Sequence, residues 1–137
     1  EKLGIGDDAI ITGPVPHNQV APFYELIDVF VVSRPDTRVT RLVTPLKPFE
    51  AMQAGRAIVM SDLPALAEII EDGKTGRLYP SDNVESLANT IHELLEDESL
   101  RTNLGKAAAE WVSTERTWSN VVGDVPGIYQ KEVEKCV

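Results

Sequence analysis

The sequence contains very little cysteine and histidine, and each shortage excludes a class of protein. The single cysteine, Cys136, cannot form a disulfide within the chain, which excludes the disulfide-rich secreted scaffolds and favours a reducing compartment. The two histidines, His17 and His92, stand far apart and outside any cluster with the spacing of metal ligands. We therefore expect no metal site, and no Asp-x-Asp pair is present to suggest one.

Long apolar runs and an excess of positive charge are also missing. The longest uncharged apolar stretches are strand-sized, far below the roughly 20 residues that cross a bilayer, and the N-terminus has no run of signal-peptide length. Acidic residues outnumber basic residues by 22 to 13, and the formal charge of −9 repels nucleic acid and anionic headgroups at long range. We therefore expect no nucleic-acid partner, although a local cationic pocket is compatible with this charge.

The apolar pattern predicts the fold class. With 137 residues the chain is expected to form one domain. Short runs that are apolar on both faces predict strands over residues 9–12, 28–32, 57–60 and, more weakly, 76–79. Apolar residues at helical spacing predict helices over 18–26, 84–96, 100–112 and about 126–135. Buried strands that alternate with helices predict an α/β fold with a partial, Rossmann-like parallel sheet of about four strands and flanking helices.

Two helix boundaries are predicted from residues that commonly cap helices. Asp82 and Glu85, three residues apart, have the spacing of a capping box at the start of the helix over 84–96. Gly55 is expected as the C-terminal cap of the helix that precedes it, since glycine adopts the left-handed backbone such caps require.

The segment after the second strand carries the candidate chemistry. Residues 33–43 contain three arginines and show neither helical nor strand periodicity, which predicts a functional or mobile loop. The helix that follows has two candidate starts. Either Thr44 is its N-cap with Pro45 in the first turn, or it begins nearer Lys47, because Pro48 lacks an N–H to bond back to the cap.

Either start leaves free N–H groups around Phe49 and Glu50 at the carboxyl edge of the sheet, beside the charge of Lys47. Such a helix end carries partial positive charge and suits a phosphate group. The same features are common at helix ends that bind nothing, so the residues alone predict an α/β domain that is compatible with an anion site.

Residues 44–62, TPLKPFEAMQAGRAIVMSD, resemble the nucleotide-sugar-binding segment of the group 1 glycosyltransferases. The likeness continues through residues 13–31 before this segment and 67–79 after it, and through the elements at 94–97 and 116–118. The resemblance is to the family 4-like enzymes of GT-B fold, which are retaining and have two Rossmann-like domains facing each other across a cleft.

The resemblance implies that residues 1–137 are a single, incomplete C-terminal domain that binds the donor nucleotide. It implies that Glu50 holds the ribose hydroxyls and that Thr44 to Lys47 line the sugar and the diphosphate, with the base flanked by the loop at Ser33 and the turn at Pro16. The donor site that it implies consists of Pro16, Ser33, Arg41, Thr44, Pro45, Leu46, Lys47, Phe49 and Glu50. It assigns no catalytic residue.

The sequence departs from the family pattern in two ways. A second glutamate usually precedes the position of Glu50 and contacts the transferred sugar, but Arg41 and Leu42 occupy the two positions where it is found. The N-terminal acceptor domain and the Arg/Lys pair that neutralises the leaving diphosphate have no counterpart in the chain. We therefore expect the isolated fragment to be inactive. We also expect it to self-associate through an apolar face that includes Ile128, Tyr129 and Val133.

The function implied for the intact protein is transfer of a hexose from a nucleoside diphosphate sugar to an acceptor with retention. No cofactor beyond this donor substrate is implied, and the implied location is the cytoplasm, with membrane association of the intact enzyme left open. The alternative is a non-catalytic module that binds a nucleotide or nucleotide sugar, which the replacement of the acidic residue by Arg41 and Leu42 favours. An epimerase of the same architecture and a phosphate-binding receiver domain rank below both, because the acids that each requires are missing.

Overall fold

A computed structural model describes residues 4–6, 8–123 and 125–135, and its centre is a parallel sheet of three strands. The strands are β1 (Val29–Val32), β2 (Ala57–Asp62) and β3 (Arg77–Pro80), and they lie in the order β1-β2-β3. Val29 lies opposite Ala57 across the first pair of strands, and Val59 opposite Arg77 across the second. The α/β fold with a parallel sheet is confirmed, with three strands in place of the expected four or so.

The strand predicted over residues 9–12 is wrong. These residues form no strand, and the side chains of Ile10 and Ile11 are 91% and 94% exposed. A strand is stable only when its backbone N–H and C=O groups pair with a neighbour. In the described part of the chain the two strand ladders join β1 to β2 and β2 to β3, so residues 9–12 have no such neighbour.

Eight helices of the described residues surround or follow the sheet. They are α1 (Ala21–Glu25), α2 (Arg38–Leu42), α3 (Lys47–Gln53), α4 (Pro64–Ala67), α5 (Val84–Glu96), α6 (Glu98–Glu115), α7 (Trp118–Gly123) and α8 (Val125–Glu134). The predictions over 84–96, 100–112 and 126–135 are confirmed. The prediction over 18–26 is confirmed in part, because a 3-10 turn (His17–Gln19) occupies its first residues and α1 the rest.

The N-terminal cap of α5 lies one residue later than predicted. The side-chain oxygen of Asn83 accepts a hydrogen bond from the Ser86 N–H at 2.9 Å. Asp82 has a φ of 63°, in the left-handed region, whereas an N-cap needs the extended backbone that Asn83 adopts. The capping box predicted from Asp82 and Glu85 is therefore wrong.

The C-terminal end of α3 confirms the role expected for Gly55. Gly55 has a φ of 69°, and its N–H donates to the Met52 carbonyl at 2.9 Å. The next N–H, that of Arg56, donates to the Ala51 carbonyl at 3.0 Å. This pair of reversed hydrogen bonds is a Schellman motif, which satisfies the last carbonyl groups of the helix and turns the chain into β2.

The core lies on both faces of β2, whose residues 57–61 are all buried. Ile58 and Met60 point to one face and pack in a cluster that includes Met52 of α3 and Leu66 of α4. Side chains alternate along a strand, so Ala57 and Val59 point to the other face, where the cluster includes Leu94 and Leu104. A parallel sheet requires coverage of both faces. Because the three strands run parallel, their carboxyl ends lie at the same edge of the sheet.

Candidate functional site

A hydrogen-bond network at the carboxyl edge of the sheet holds the loop that follows β1. The Arg34 N–H donates to the fully buried Ser61 hydroxyl at 2.7 Å, and that hydroxyl lies 3.0 Å from the Arg34 carbonyl oxygen. The Tyr79 hydroxyl lies 3.1 Å from Ser61 Oγ and donates to Ser33 Oγ at 2.8 Å. The Ser81 hydroxyl donates to the Arg34 carbonyl at 3.0 Å. Side chains of β2 and β3 therefore position the start of the loop.

Ser61 and Tyr79 were missed as positioning residues by the sequence analysis. One signal could have identified Ser61: it is a serine in the second-to-last position of a strand whose preceding residues are all apolar. A hydroxyl buried in such a strand needs hydrogen-bond partners. No local pattern marks Tyr79, whose hydroxyl finds its partners on residues that lie 18 and 46 positions earlier in the chain.

Residues 33–43 are not the irregular loop that the sequence analysis predicted, because they contain α2. Its N-terminus is a capping box in which the Thr40 N–H donates to Thr37 Oγ1 at 3.3 Å and the Thr37 N–H donates to Thr40 Oγ1 at 3.0 Å. The helix has five residues, too few to show a helical period. The usual capping box has Ser or Thr at the N-cap and Glu or Gln three residues later. This one has threonine at both positions, so the sequence pattern did not indicate it.

Arg41 forms a two-point ion pair within this segment. Its Nε lies 2.5 Å from Asp36 Oδ1, and a terminal nitrogen lies 2.6 Å from Oδ2. The hydrogen bonds from Arg41, followed by its positive charge, hold the pKa of the Asp36 carboxyl below its usual value, and Asp36 raises the pKa of the guanidinium in turn. Arg41 is therefore engaged with its own loop in this structure.

Helix α3 begins at Lys47, which confirms the second of its two candidate starts. The N-cap is Leu46, without a side-chain hydrogen bond, so Thr44 is not the cap. With this start Pro48 lies in the first turn, where helical N–H groups have no partner within the helix and a proline costs no hydrogen bond. A cap at Thr44 would place Pro48 where an N–H is needed.

Glu50 lies in the first turn of α3 and reaches toward α1. Its Oε2 accepts a hydrogen bond from the Tyr24 hydroxyl at 2.7 Å. Burial raises the pKa of Tyr24 to about 12, and the hydrogen bond to the Glu50 carboxylate and its negative charge act in the same direction. Both side chains line an open cavity of about 500 Å³ between α1 and α3, together with His17, Glu25, Gln53 and Arg56.

The other predicted donor-site residues lie outside the lining of this cavity. Ser33 lines a separate cavity of about 250 Å³ with Tyr79 and Leu87. The remaining residues are exposed or partly buried around α2, the start of α3 and the 3-10 turn: Pro16, Arg41, Thr44, Pro45, Leu46, Lys47 and Phe49. Phe49 packs against the core. Glu50 and Ser33 thus line different cavities of this domain, and the nine-residue donor site stays a prediction.

The described residues, 4–6, 8–123 and 125–135, contain no group of three or more His, Cys, Asp or Glu side chains arranged to hold a metal ion. None of their helices combines the length and the apolar character needed to cross a membrane.

Comparison with known sequences identifies a family. Residues 1–111 match the family described as "Glycosyl transferases group 1". A phosphatidyl-myo-inositol mannosyltransferase of Mycolicibacterium smegmatis is 38% identical over 81 residues, which cover 59% of this chain and 21% of that protein. A sulfoquinovosyl transferase of Arabidopsis thaliana is 32% identical over 113 residues, 80% of this chain and again 21% of the relative. The chain thus spans about a fifth of the length of these relatives.

Comparison with solved structures gives the same fold. Sucrose-phosphate synthase from Thermosynechococcus elongatus superposes with a TM-score of 0.81 at 25% identity, over 98% of this chain and 32% of that one. The C-terminal domain of a glycosyl transferase group 1 family protein from Francisella tularensis superposes with a TM-score of 0.68 at 22% identity. The match covers 79% of this chain and 53% of that one. Anabaena HepE in complex with UDP and glucose superposes with a TM-score of 0.79 at 18% identity. The match covers 95% of this chain and 34% of that one.

Proposed function

The chain belongs to the group 1 glycosyl transferases and has the fold of the C-terminal domain of GT-B enzymes, and from that premise we propose that it binds the donor of a sugar-transfer reaction. The proposed reaction of the intact protein moves a hexose from a nucleoside diphosphate sugar to an acceptor hydroxyl with retention. The observation that carries the proposal is the Glu50 carboxylate, which accepts a hydrogen bond from Tyr24 and lines the cavity between α1 and α3.

Glu50 has the acceptor capacity that ribose recognition needs. An ionised carboxylate offers about four lone-pair sites on two oxygens. The Tyr24 hydroxyl takes one site on Oε2 and sets the orientation of the group, which leaves Oε1 for the vicinal hydroxyls of a ribose. Because Tyr24 keeps its proton up to about pH 12, it remains a donor to Glu50 at neutral pH.

The proposed diphosphate site lies at the start of α3. Lys47 supplies a positive charge there. The expected free N–H at Phe49 is wrong, because that group donates to the Leu46 carbonyl at 3.1 Å; with Pro48 lacking an N–H, the Lys47 N–H is the backbone donor that the first turn of α3 leaves for a phosphate. Charge develops on the diphosphate as the glycosidic bond breaks, and fixed positive groups in a closed cleft stabilise that charge. The network around Ser61 holds the neighbouring loop in place, so its residues do not have to become ordered during the reaction.

The relatives support hexosyl transfer and a nucleotide sugar as the donor. One relative is named as a mannosyltransferase, and one structural neighbour was solved with UDP and glucose. We propose that this chain likewise takes a nucleoside diphosphate hexose, without a metal or other cofactor. We also propose that its activity requires the N-terminal acceptor domain, and that the intact enzyme works in the cytoplasm.

A non-catalytic nucleotide-binding module is the second candidate, and one observation favours it. The two positions where the family carries its sugar-contacting carboxylate hold Arg41, which is paired with Asp36, and Leu42, whose side chain is 72% exposed. Neither can accept a hydrogen bond from a sugar hydroxyl through its side chain. Binding of the donor without turnover by the full-length protein would establish this alternative.

The first experiment is an NMR titration of the chain with UDP, GDP and ADP. We expect one nucleotide to shift the amide signals of residues 44–50. We expect Glu50→Gln, which keeps the shape of the side chain, to weaken this binding at least tenfold, since a hydrogen bond to a charged group contributes about 1.5–3 kcal/mol. Glu110→Gln, an exposed position on α6, is the matched control and should bind as the unmodified chain does.

Two results would contradict the proposed donor site. One is equal binding by Glu50→Gln and the unmodified chain, which would separate Glu50 from the ribose. The other is the absence of shifts with all three nucleotides, which would show that this chain does not hold a donor nucleotide by itself.

A further inference from the structure

Asp82 has a backbone conformation that favours another residue. Among the residues that the structure describes, it is the one residue other than glycine with a positive φ, 63°. Side chains with a Cβ atom are strained in this left-handed region, although aspartate and asparagine tolerate it better than most. A glycine would adopt the same backbone without strain. Strain of this kind persists where the side chain makes a contact that the protein needs.

The carboxylate of Asp82 makes such a contact. The Asp36 N–H donates a hydrogen bond to Asp82 Oδ2 at 3.2 Å, across 46 positions of the chain. Asp36 directly precedes Thr37, the N-cap of α2, and Asp82 lies in the turn between β3 and α5. This hydrogen bond therefore joins the turn after β3 to the start of α2.

The residues around α2 form a segment that is closed on itself. We define the α2 segment as residues 33–43. The Arg34 guanidinium donates to the Val43 carbonyl at 2.9 Å, which joins one end of the segment to the other. The Thr40 hydroxyl donates to the Pro35 carbonyl at 2.6 Å. These internal hydrogen bonds fix the shape of the segment, but they do not fix its place on the domain.

Hydrogen bonds at two points of the α2 segment attach it to the sheet and the turn after β3. At the first point, the hydroxyl groups of Ser61 and Ser81 bond to the backbone of Arg34. The second point is Asp36, which Asp82 holds. A closed segment attached at one residue can pivot about it, and a second attachment two residues later restricts that motion. Contact between α2 and α4 supports the other end of the segment.

We propose that Asp82 is a positioning residue for the donor site. Its carboxylate restricts the α2 segment, and the α2 segment places residues 44–47, which follow Val43 directly in the chain. This inference rests on the proposed function, in which residues 44–47 line the sugar and the diphosphate. A glycine at position 82 would remove the strain and the hydrogen-bond acceptor together.

Amide hydrogen exchange of Asp36, measured by NMR, tests the attachment itself. Asp82→Gly keeps the backbone conformation but lacks the acceptor, and we expect the Asp36 amide to exchange about fivefold faster in this variant. Asp82→Asn keeps a side-chain oxygen and tolerates the left-handed backbone, so its exchange should stay close to that of the unmodified chain. Equal exchange in Asp82→Gly and the unmodified chain overturns the proposal.

Urea denaturation of a second pair of variants separates the strain from the hydrogen bond. Asp82→Ala and Asp82→Gly both lack the acceptor, but alanine keeps a Cβ atom in the left-handed region. We expect Asp82→Gly to unfold at a higher urea concentration than Asp82→Ala. Equal midpoints would show that the turn is not strained in solution and would overturn this part of the inference.

Nucleotide binding tests the positioning role, because a contact that only stabilises the fold would leave the affinity of the folded chain unchanged. In titrations with UDP, GDP and ADP, we expect Asp82→Gly to weaken the binding of the nucleotide that the unmodified chain takes by about threefold or more. Asp82→Asn should restore most of the affinity. Full affinity in Asp82→Gly overturns the positioning role.

This inference and the proposed function fail in different ways. Glu50→Gln should weaken nucleotide binding and leave the exchange of the Asp36 amide unchanged, whereas Asp82→Gly should change both. Full affinity in Asp82→Gly together with weak binding by Glu50→Gln overturns the role of Asp82 and leaves the donor site. Failure of the unmodified chain to bind any of the three nucleotides overturns the donor site and the positioning role with it.

Discussion

Gly105 of α6 packs directly on the carbonyl group of Gly55, in the turn that ends α3. A Cβ atom built on Gly105 would collide with the Gly55 carbonyl oxygen and would lie 2.9 Å from the carbonyl carbon. Gly105 is buried, and α3 and α6 share one of the larger interfaces of the molecule. The missing side chain at Gly105 therefore sets how closely α6 approaches the helix that carries Glu50.

We predict that Gly105→Ala destabilises the chain by about 1–3 kcal/mol in spite of the better helix propensity of alanine. Alanine gains about 1 kcal/mol over glycine within a helix, but the new methyl group forces α6 away from backbone atoms that cannot rotate aside. Urea denaturation measures the change. Gly127→Ala in α8, where a Cβ would meet nothing within 4 Å, is the control and should be neutral or slightly stabilising. Equal stability of the two variants would contradict the close contact.

The Ser61 network gives a second prediction. Ser61→Ala removes the acceptor of the Arg34 N–H and should cost about 1–3 kcal/mol, the penalty for a buried donor left without a partner. The amide signals of residues 33–37 should shift in the NMR spectrum, since the loop loses its attachment to β2. Ser113→Ala, at an exposed serine that bonds to its own helix, should change stability far less. A loop spectrum unchanged by Ser61→Ala would refute the positioning role.

A third prediction concerns stability at high pH. The pKa of Tyr24 is about 12 in the folded chain, above its ordinary value of 10, so the folded state holds this proton more tightly than the unfolded state. The resulting contribution, up to about 2 kcal/mol, is complete below pH 10 and is lost as the pH rises from 10 to 12.

Urea denaturation at pH 9 and near pH 12 measures this loss. Tyr24→Phe should flatten the dependence on pH over that interval, and the component of the ultraviolet tyrosinate titration near pH 12 should disappear. Tyr129→Phe, at a side chain that is 70% exposed, is the control. A titration component near pH 12 that survives Tyr24→Phe would show that it belongs to another group.

The Arg41–Asp36 ion pair gives a fourth prediction. Arg41→Gln should return the pKa of the Asp36 carboxyl upward toward its ordinary value, which carbon-13 NMR of the carboxyl group measures. The paired carboxylate favours the folded state at neutral pH, and this effect is lost as the pH falls through the lowered pKa. Because the pair is solvent-exposed, we expect little change in overall stability at neutral pH. An unmoved Asp36 titration would show that the pair does not persist in solution.

The elements that sequence reasoning predicted well are those whose signal is local. Helix α5 shows a continuous apolar stripe over 84–96 and has the predicted bounds, because its spacing alone decides which side is buried. Gly55 was identified as a cap because a left-handed residue at a helix end favours glycine whatever surrounds it. The apolar run of β2 likewise identified a strand buried on both faces.

The predictions that failed depended on partners elsewhere in the chain. Residues 9–12 have the composition of a strand, but a strand exists only beside another, and none lies beside them in the described residues. Helix α2 was missed because its five residues are set by one pair of threonines and by contact with α4. The donor site named as one set of nine residues stays a prediction; what the sequence did not reveal is that Glu50 bonds to Tyr24 and Ser33 to Tyr79.

The sequence by itself determined the α/β class, the long helices and the family, because composition, periodicity and ordered motifs are properties of neighbouring residues. Only the tertiary structure decided which strands form the sheet, which hydroxyl orients Glu50 and how closely α6 approaches Gly55. These depend on groups that lie 18 to 50 residues apart, and no local pattern encodes the distance between them. Packing brings such groups together, and the candidate site depends on that packing.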